Sequence, residues 1–278
     1  MIVSRTPNRI SFLGGGTDYP QWYEHFGEGA ILGTTIDKYV YCMLHDGKSW
    51  RTFDLPTKAG LASSSAYTVG LLRACTTLDK HSIAKLATTW EQDKMNGNVG
   101  SQDQYLCAVG GFHLLHFNEH GIRDCPIECE ALTELQDWLM LFDTHQYRRA
   151  SDVVQDQLAQ MKKHRSKYEE LAKMPQLGLQ YLHARQWDLF GTLLADAWTL
   201  KRSLAKTIST PEVDDIYQTG RQAGAIGGKL LGGGGGGFIV FVVDPLRQDA
   251  VRQALNTLTY VPFRFEKEGS VVVYRDER

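Results

Sequence analysis

Hydrophobic and polar positions alternate most regularly over residues 34–44, TTIDKYVYCML, where Thr, Val and Tyr enrichment predicts a β-strand. An apolar strand also leads into the three glycines that follow Leu13. The segments GFHLLHFN (111–118), WLMLFDT (138–144) and FIVFVV (238–243) are strand-like, and the apolar run at 138–144 predicts burial on both faces. The period lengthens over 66–78 and 82–95, where helices are expected; Ile83, Leu86, Ala87 and Trp90 fall on one face of the second. Helical spacing dominates from about Ala150 to Gly224, and residues 188–205, DLFGTLLADAWTLKRSLA, form its clearest amphipathic member. A helix from about Pro245 to Leu258 and strands near 260–265 and 270–275 complete the pattern. No internal repeat is present. The weakest seam lies at 120–135, where His120-Gly121 and Cys125-Pro126 interrupt the pattern. These elements predict an α+β protein of two packed domains, 1–130 and 131–278, with a ligand site between them.

Composition narrows the classes without choosing one. The chain has 278 residues, 42% hydrophobic and 22% charged, with a formal net charge of −2 and no dense Lys/Arg stripe. That balance argues against nucleic acid or an anionic membrane as partner. No apolar run approaches the roughly 20 residues that span a bilayer, and MIVSRTPNRISFL lacks the form of a signal peptide. Five scattered cysteines (42, 75, 107, 125 and 129) suit reduced thiols and a cytoplasmic location. Cys125 and Cys129 with His120 find no second Cys/His pair at zinc spacing.

Three stretches carry candidate chemistry. In Pro7-Asn8-Arg9-Ile10-Ser11-Phe12-Leu13-Gly14-Gly15-Gly16-Thr17-Asp18, the glycines admit close backbone approach to a ligand, and Arg9 and Asp18 offer a cation and a carboxylate. A tight hairpin bend accounts for that stretch equally well. The second, Gly60-Leu61-Ala62-Ser63-Ser64-Ser65, runs directly into a helix, where free N–H groups, the helix dipole and three hydroxyls form an anion cradle. A plain serine N-cap is the simpler alternative, although three serines exceed what one cap requires. The third is Gly227-Gly228-Lys229-Leu230-Leu231 followed by six glycines, Gly232 to Gly237, ahead of a strand. Ordering six glycines is entropically expensive, so a purely structural role is disfavoured. The run is no dinucleotide fingerprint, because it precedes a strand, and no Walker loop, because Leu230 stands where Ser or Thr is needed.

In this order the three stretches resemble the motifs of the GHMP kinases, named for galactokinase, homoserine kinase, mevalonate kinase and phosphomevalonate kinase. PNRISFLGGGTDYP, GLASSSAYTVGLL and GGKLLGGGGGGFIVFV carry the likeness. TTIDKYVY, EQDKMNGNVGSQDQ, GGFHLLHF, WTLKRSLAKTIS and FRFEKEG direct it toward the D-glycero-α-D-manno-heptose 7-phosphate kinase branch. The resemblance implies a two-domain fold. Its N-terminal domain is like domain two of a small-subunit ribosomal protein, and its C-terminal domain is ferredoxin-like with a helical insert. It also implies a cytoplasmic transferase of carbohydrate metabolism that uses ATP and Mg²⁺ to phosphorylate a small-molecule sugar or sugar phosphate. The most favoured acceptor is the anomeric hydroxyl of a heptose 7-phosphate, and a homodimer is left open as the assembly.

By the same resemblance Asp103 is the base that accepts the proton of the attacking hydroxyl, with Arg9 near the reacting centre. Gly60, Leu61, Ala62, Ser63, Ser64, Ser65, Gly234 and Gly235 would hold the nucleotide, and Ser64 and Glu91 the metal. Asp18, Thr17, Gly16 and Arg148 would meet the sugar, with Lys201 and Arg202 as weaker phosphate-gripping candidates. Without it, Asp103 is a helix-start aspartate, Glu91 a polar residue on an amphipathic helix, and Arg148-Arg149 a solvated face.

Two features depart from the family pattern. Ala62 replaces a usual glycine, where a methyl crowds any loop that needs positive φ. Only HDGKSWRTFDLPTKA, 45–59, separates the strand ending near Leu44 from the serine loop, several tens of residues fewer than the family carries. His45-Asp46-Gly47-Lys48 is expected to close this gap as a type I′ hairpin. The shortening keeps open a catalytically impaired homologue acting as a sugar-binding or regulatory protein. A kinase for L-fucose, a galactose-like sugar or an isoprenoid precursor is the other alternative.

Overall fold

The computed structural model describes residues 1–57, 59–94, 98–147 and 150–276. Arg148, expected at the sugar, lies outside the described residues. The first sheet is organised by β2 (Gly29–His45), whose 17 residues outrun any single neighbour. One edge pairs antiparallel with β1 (Ile2–Leu13). The other edge is covered in succession: β4 (Phe112–Asn118) pairs with Gly29 to Thr34, β10 (Phe265–Glu266) with Thr35 and Ile36, and β3 (Lys48–Phe53) with Val40 to His45. β5 (Gly121–Pro126) extends the sheet beyond β4, and β11 (Val271–Arg275) extends it beyond β1. The strands near the end of the chain thus cross back over the seam at 120–135 to complete the first sheet.

Between β2 and β3, Asp46 and Gly47 take φ of 47° and 71°. Positive φ at both central residues is the type I′ requirement, and its twist lets β3 fold directly onto β2. The short 45–59 segment is closed by this hairpin. One face of the sheet is covered by α2 (Ser63–Cys75), α3 (Lys80–Lys94) and α4 (Gln102–Val109), which bury Val69, Ile83, Ala87 and Leu106 against Ile31 and Leu115. α2 is fastened to β1 by Ser4, whose hydroxyl donates to the Gly70 carbonyl (2.6 Å).

The second sheet has the order β7-β8-β6-β9, all antiparallel, from β7 (Ala225–Leu230), β8 (Phe238–Val243), β6 (Leu139–Asp143) and β9 (Thr259–Tyr260). Every residue of β6 and β8 is buried, which explains their unbroken apolar runs. Short helices α1 (Pro20–Tyr23) and α5 (Ala131–Asp137) precede β2 and β6. α6 (Ala150–Ala159), α7 (Arg165–His183), α8 (Trp187–Arg202) and α9 (Pro211–Gln222) supply the long helical region, and α10 (Gln248–Ala254) follows β8. α7 packs on β1 and β2 while α8 packs on β7, so one core joins both sheets.

The six glycines connect β7 to β8 and bring the two halves into backbone contact. A Cβ on Gly232 would lie 2.5 Å from Gly60 Cα, and one on Gly60 would lie 2.3 Å from the Leu231 carbonyl oxygen. Phe238 N donates to Ala59 O (3.0 Å) beside this contact. Both glycines have positive φ, so a side chain is opposed by torsion as well as by space. Gly232→Ala is expected to cost about 3 kcal/mol, combining overpacking with a left-handed alanine. Urea denaturation measures it, and an unchanged midpoint would refute the contact.

Candidate active site

A cavity of about 570 Å³ opens where the three glycine- and serine-rich stretches converge. Its floor is Arg9, near the end of β1, at 4% exposure. Arg9 Nε and Nη2 donate to both carboxylate oxygens of Asp103 (2.8 and 2.9 Å), and Nη1 donates to the Gly60 carbonyl (2.6 Å). One guanidinium thereby joins the first stretch, the second stretch and the start of α4. Burial opposes its charge, but Asp103 more than compensates, and the guanidinium is held above its ordinary value.

Beside this pair stands Asp18. Its carboxylate accepts from Gly16 N (3.1 Å) and lies against Gly100, while its own carbonyl accepts from Ser101 N (2.9 Å). Burial, reinforced by the Asp103 charge, pushes the Asp18 carboxyl upward. Two lysines face the carboxylates. Lys201, from the last turn of α8, donates to the Gly232 carbonyl (2.7 Å), and burial pushes its ammonium down to about 8. Lys229, in β7, donates to the Ser11 and Phe12 carbonyls (3.0 and 2.9 Å) and is driven well below its usual value by burial and then by Lys201.

The opposite wall is the N-terminus of α2. Ser63, Ser64 and Ser65 line the cavity there, with Glu91, Trp90 and Lys94 of α3 alongside. It is Ser65 that hydrogen-bonds Glu91, donating to Oε2 (2.8 Å), and Gln104 Nε2 donates to the same oxygen (2.5 Å). Glu91 Oε1 is buried and has no partner among the described residues. Ser64 is exposed to the cavity. Hard oxygen donors of this kind, one of them an unpartnered buried carboxylate oxygen, fit a magnesium ion.

Most of the sequence-predicted positions therefore gather on one surface: Arg9, Gly16, Asp18, Gly60, Ala62, Ser63, Ser64, Ser65, Glu91, Asp103 and Lys201. Others do not. The Thr17 hydroxyl is consumed by the Gly14 and Ala30 carbonyls and by Ala30 N, so it serves the turn rather than a sugar. Leu61 is buried and offers its carbonyl to Arg9 N and Asn8 Nδ2. Gly232 and Gly233 line the cavity, whereas Gly234 and Gly235 turn behind it against Ile208, with Gly235 N donating to Ile208 O (2.9 Å). Arg202 pairs with Asp214 (2.7 Å) away from the cavity wall. Sequence reasoning assigned no role to Ser11, Gln102, Gln157 or Lys229, all of which line it. Gln157 was detectable, because Val153, Val154, Gln157 and Met161 make a helical stripe in which one polar residue interrupts an apolar face.

The cavity, its helix N-terminus and the paired sheets have the architecture of a small-molecule kinase. Residues 45–111 match the GHMP kinases N terminal domain, and residues 179–260 match the GHMP kinases C terminal domain. The chain belongs to the GHMP kinase family, in which ATP is the phosphate donor. It is 28% identical over 332 aligned residues to D-glycero-alpha-D-manno-heptose 7-phosphate kinase of Campylobacter jejuni, covering 96% of this chain and 97% of that protein. That alignment is longer than the 278 residues here, so the Campylobacter protein carries stretches with no counterpart in this chain. Among solved structures, D-glycero-D-manno-heptose 1-phosphate kinase from Bacteroides thetaiotaomicron superposes with a TM-score of 0.80 at 22% identity, covering 100% of both chains. Lactococcus lactis galactokinase complexed with galactose superposes with a TM-score of 0.71 at 15% identity, over 97% of this chain and 94% of that one.

Ala62, the residue before α2, sits at φ 64° and ψ 26°, in the left-handed region that its methyl disfavours. The cost is about 1 kcal/mol, stored immediately ahead of α2 where the cavity wall begins. Ala62→Gly is expected to raise stability by about 0.5 kcal/mol, the relieved strain exceeding the added unfolded-state entropy. Thermal unfolding tests this, and a lowered midpoint would contradict it.

Proposed function

We propose that this protein transfers the γ-phosphoryl group of ATP to the anomeric hydroxyl of D-glycero-α-D-manno-heptose 7-phosphate. The observation that carries the reading is the Asp103 carboxylate, oriented by Arg9 in a cavity that has a helix N-terminus on one wall and Asp18 on the other. Similarity to the Campylobacter heptose 7-phosphate kinase over nearly the whole chain supports the sugar.

The chemistry follows from the arrangement. Backbone N–H groups and the Ser64 hydroxyl at the start of α2 receive the ATP phosphates, with Gly232 and Gly233 as the facing backbone. Asp18 accepts from sugar hydroxyls and fixes the acceptor. Both Asp103 oxygens are engaged by Arg9, yet each retains a lone pair, so the carboxylate still accepts the proton of the attacking hydroxyl. Glu91 and Ser64 would hold magnesium, whose charge offsets that of the phosphates. Lys201 adds a buried ammonium to the same purpose. Catalysis is then mostly alignment and charge neutralisation, with one positioned base.

Asp103→Asn keeps the shape of the Arg9 contact and removes the base. Turnover is expected to fall by about 100- to 10,000-fold while ATP still binds, measured by coupled ADP release and calorimetry. Wild-type protein that forms no sugar phosphate from any heptose, hexose or fucose acceptor would sink the proposal.

Lys201 gives the reaction an alkaline limit. In the folded protein its ammonium loses its proton as pH rises through about 8, against an ordinary value of 10.5. Activity that depends on this cation is therefore expected to decline above pH 8. Folding stability changes in the opposite sense: between about 8 and 10.5 the unfolded chain binds more protons, so this group's contribution to stability rises with pH. A pH–rate profile compared with Lys201→Arg, whose charge persists, separates the effects; an identical alkaline limb in both proteins would exclude Lys201 as its source.

A further inference from the structure

Buried polar atoms without partners are rare in folded proteins, because burial strips them of water and nothing compensates for the loss. Among the described residues, Ser11 Oγ, Glu91 Oε1, Gln102 Oε1 and Gln157 Nε2 are all such atoms, and all four side chains line the one cavity. Glu91 stands by the α2 N-terminus. The others belong to the end of the cavity built around Gly15 and Gly16.

Gln157 comes from α6, on the far side of the seam between the two halves, and is 2% exposed. A methyl group placed on Gly16 would sit 2.9 Å from its Nε2. Gly16 is also the residue whose N–H donates to Asp18 Oδ1 (3.1 Å). A buried donor without a well-placed acceptor and a buried carboxylate therefore flank the same glycine. Tyr168 lies alongside Gln157 without a well-formed hydrogen bond to it. At Gly15 a methyl would stand 3.7 Å from Ser11 Oγ and 3.9 Å from Lys201 Nζ, which places an unpartnered hydroxyl and an ammonium next to the first pair.

A hydroxyl group donates one hydrogen bond and accepts others, so it matches a donor and an acceptor held on either side of it. We infer that Gln157 and Asp18 together read one hydroxyl of a sugar, Gln157 donating to its oxygen and Asp18 accepting a hydrogen bond from its O–H, with Ser11 and Lys201 placed to read a neighbouring hydroxyl. Gln157 is on this basis a specificity-determining residue for one hydroxyl, and the four side chains together select a vicinal diol. The glycine at position 16 is required because any side chain would fill the space between Gln157 and the ligand. This inference rests on the sugar-kinase proposal for the identity of the ligand but not on phosphoryl transfer itself.

The test uses D-glycero-α-D-manno-heptose 7-phosphate as probe, with calorimetric binding in the absence of nucleotide and steady-state kinetics with ATP. Gln157→Leu keeps the volume and the helix stripe while removing the donor. Sugar affinity is expected to fall about tenfold or more, with the ATP KM within twofold of wild type, because a hydroxyl left unpaired in a polar pocket is strongly penalised. Gln157→Glu provides a second arm that preserves shape. Its carboxylate next to Asp18 should weaken sugar binding at neutral pH and restore part of it as pH falls. Equal sugar affinity in wild type and Gln157→Leu overturns the inference, as does a loss shared equally by sugar and ATP. A wild-type protein that binds no sugar also overturns it. Wild-type protein that binds the heptose in a Gln157-dependent way yet transfers no phosphate leaves this inference standing and removes the kinase proposal.

Discussion

Burying a guanidinium obliges a chain to surround it with acceptors, since an unpaired buried charge costs several kcal/mol. Arg9 meets that obligation with the two oxygens of Asp103 and the carbonyl of Gly60. The acceptors come from a loop and a helix far apart in sequence, so satisfying one side chain fixes three backbone segments relative to each other. Asp103, the loop ahead of α2 and the first glycine turn cannot drift apart without leaving that charge unpaired. Lys201 and Lys229 extend the same logic from the other half of the molecule. Their ammonium groups are tied to backbone carbonyls on Gly232, Ser11 and Phe12, across the junction between the sheets.

The cost of this organisation is concentrated at the cavity. Two lysines are held below their ordinary proton affinity, a carboxyl is held above it, Ala62 is held left-handed and four polar atoms lack partners. None of these features improves the stability of the empty protein. On the proposed reading, a ligand that carries phosphates and hydroxyls relieves several of them at once: anions answer the lysines, and hydroxyls answer the Gln157 amide and Ser11. The site is therefore pre-organised by its own unsatisfied groups, and binding energy is stored in the fold before a ligand arrives.

Local signals in the chain marked the elements well. The strand at 238–243, the Asp46-Gly47 hairpin and the helix after the serine loop all follow from period and turn chemistry that act within a few residues. The order of the three stretches located the cavity for the same reason, since each is a local backbone feature. What the sequence did not disclose depends on long-range packing. Thr17 looks like a sugar contact until the turn at Gly14 and Ala30 takes up its hydroxyl. Six identical glycines give no hint that Gly232 and Gly233 face the cavity while Gly234 and Gly235 pack on Ile208. Lys229 is one residue in an apolar strand, and only the approach of β1 explains why a cation is buried there.

The pairing of β1 with β11 has a bearing on how the molecule is made. Ile2 is matched to Arg275 and Arg5 to Val271, while β10 fills the gap on β2 between β4 and β3. During synthesis, β1 and β2 leave the ribosome with open edges, and the strands that seal them follow only after the whole second sheet has been translated. Contacts of such wide sequence separation form slowly, and exposed edges invite pairing with other chains in the interval. The strands that carry the first half of the site are thus translated well before the strands that complete their sheet. Until those distant strands arrive, the open edges of β1 and β2 carry the aggregation hazard of any unpaired strand.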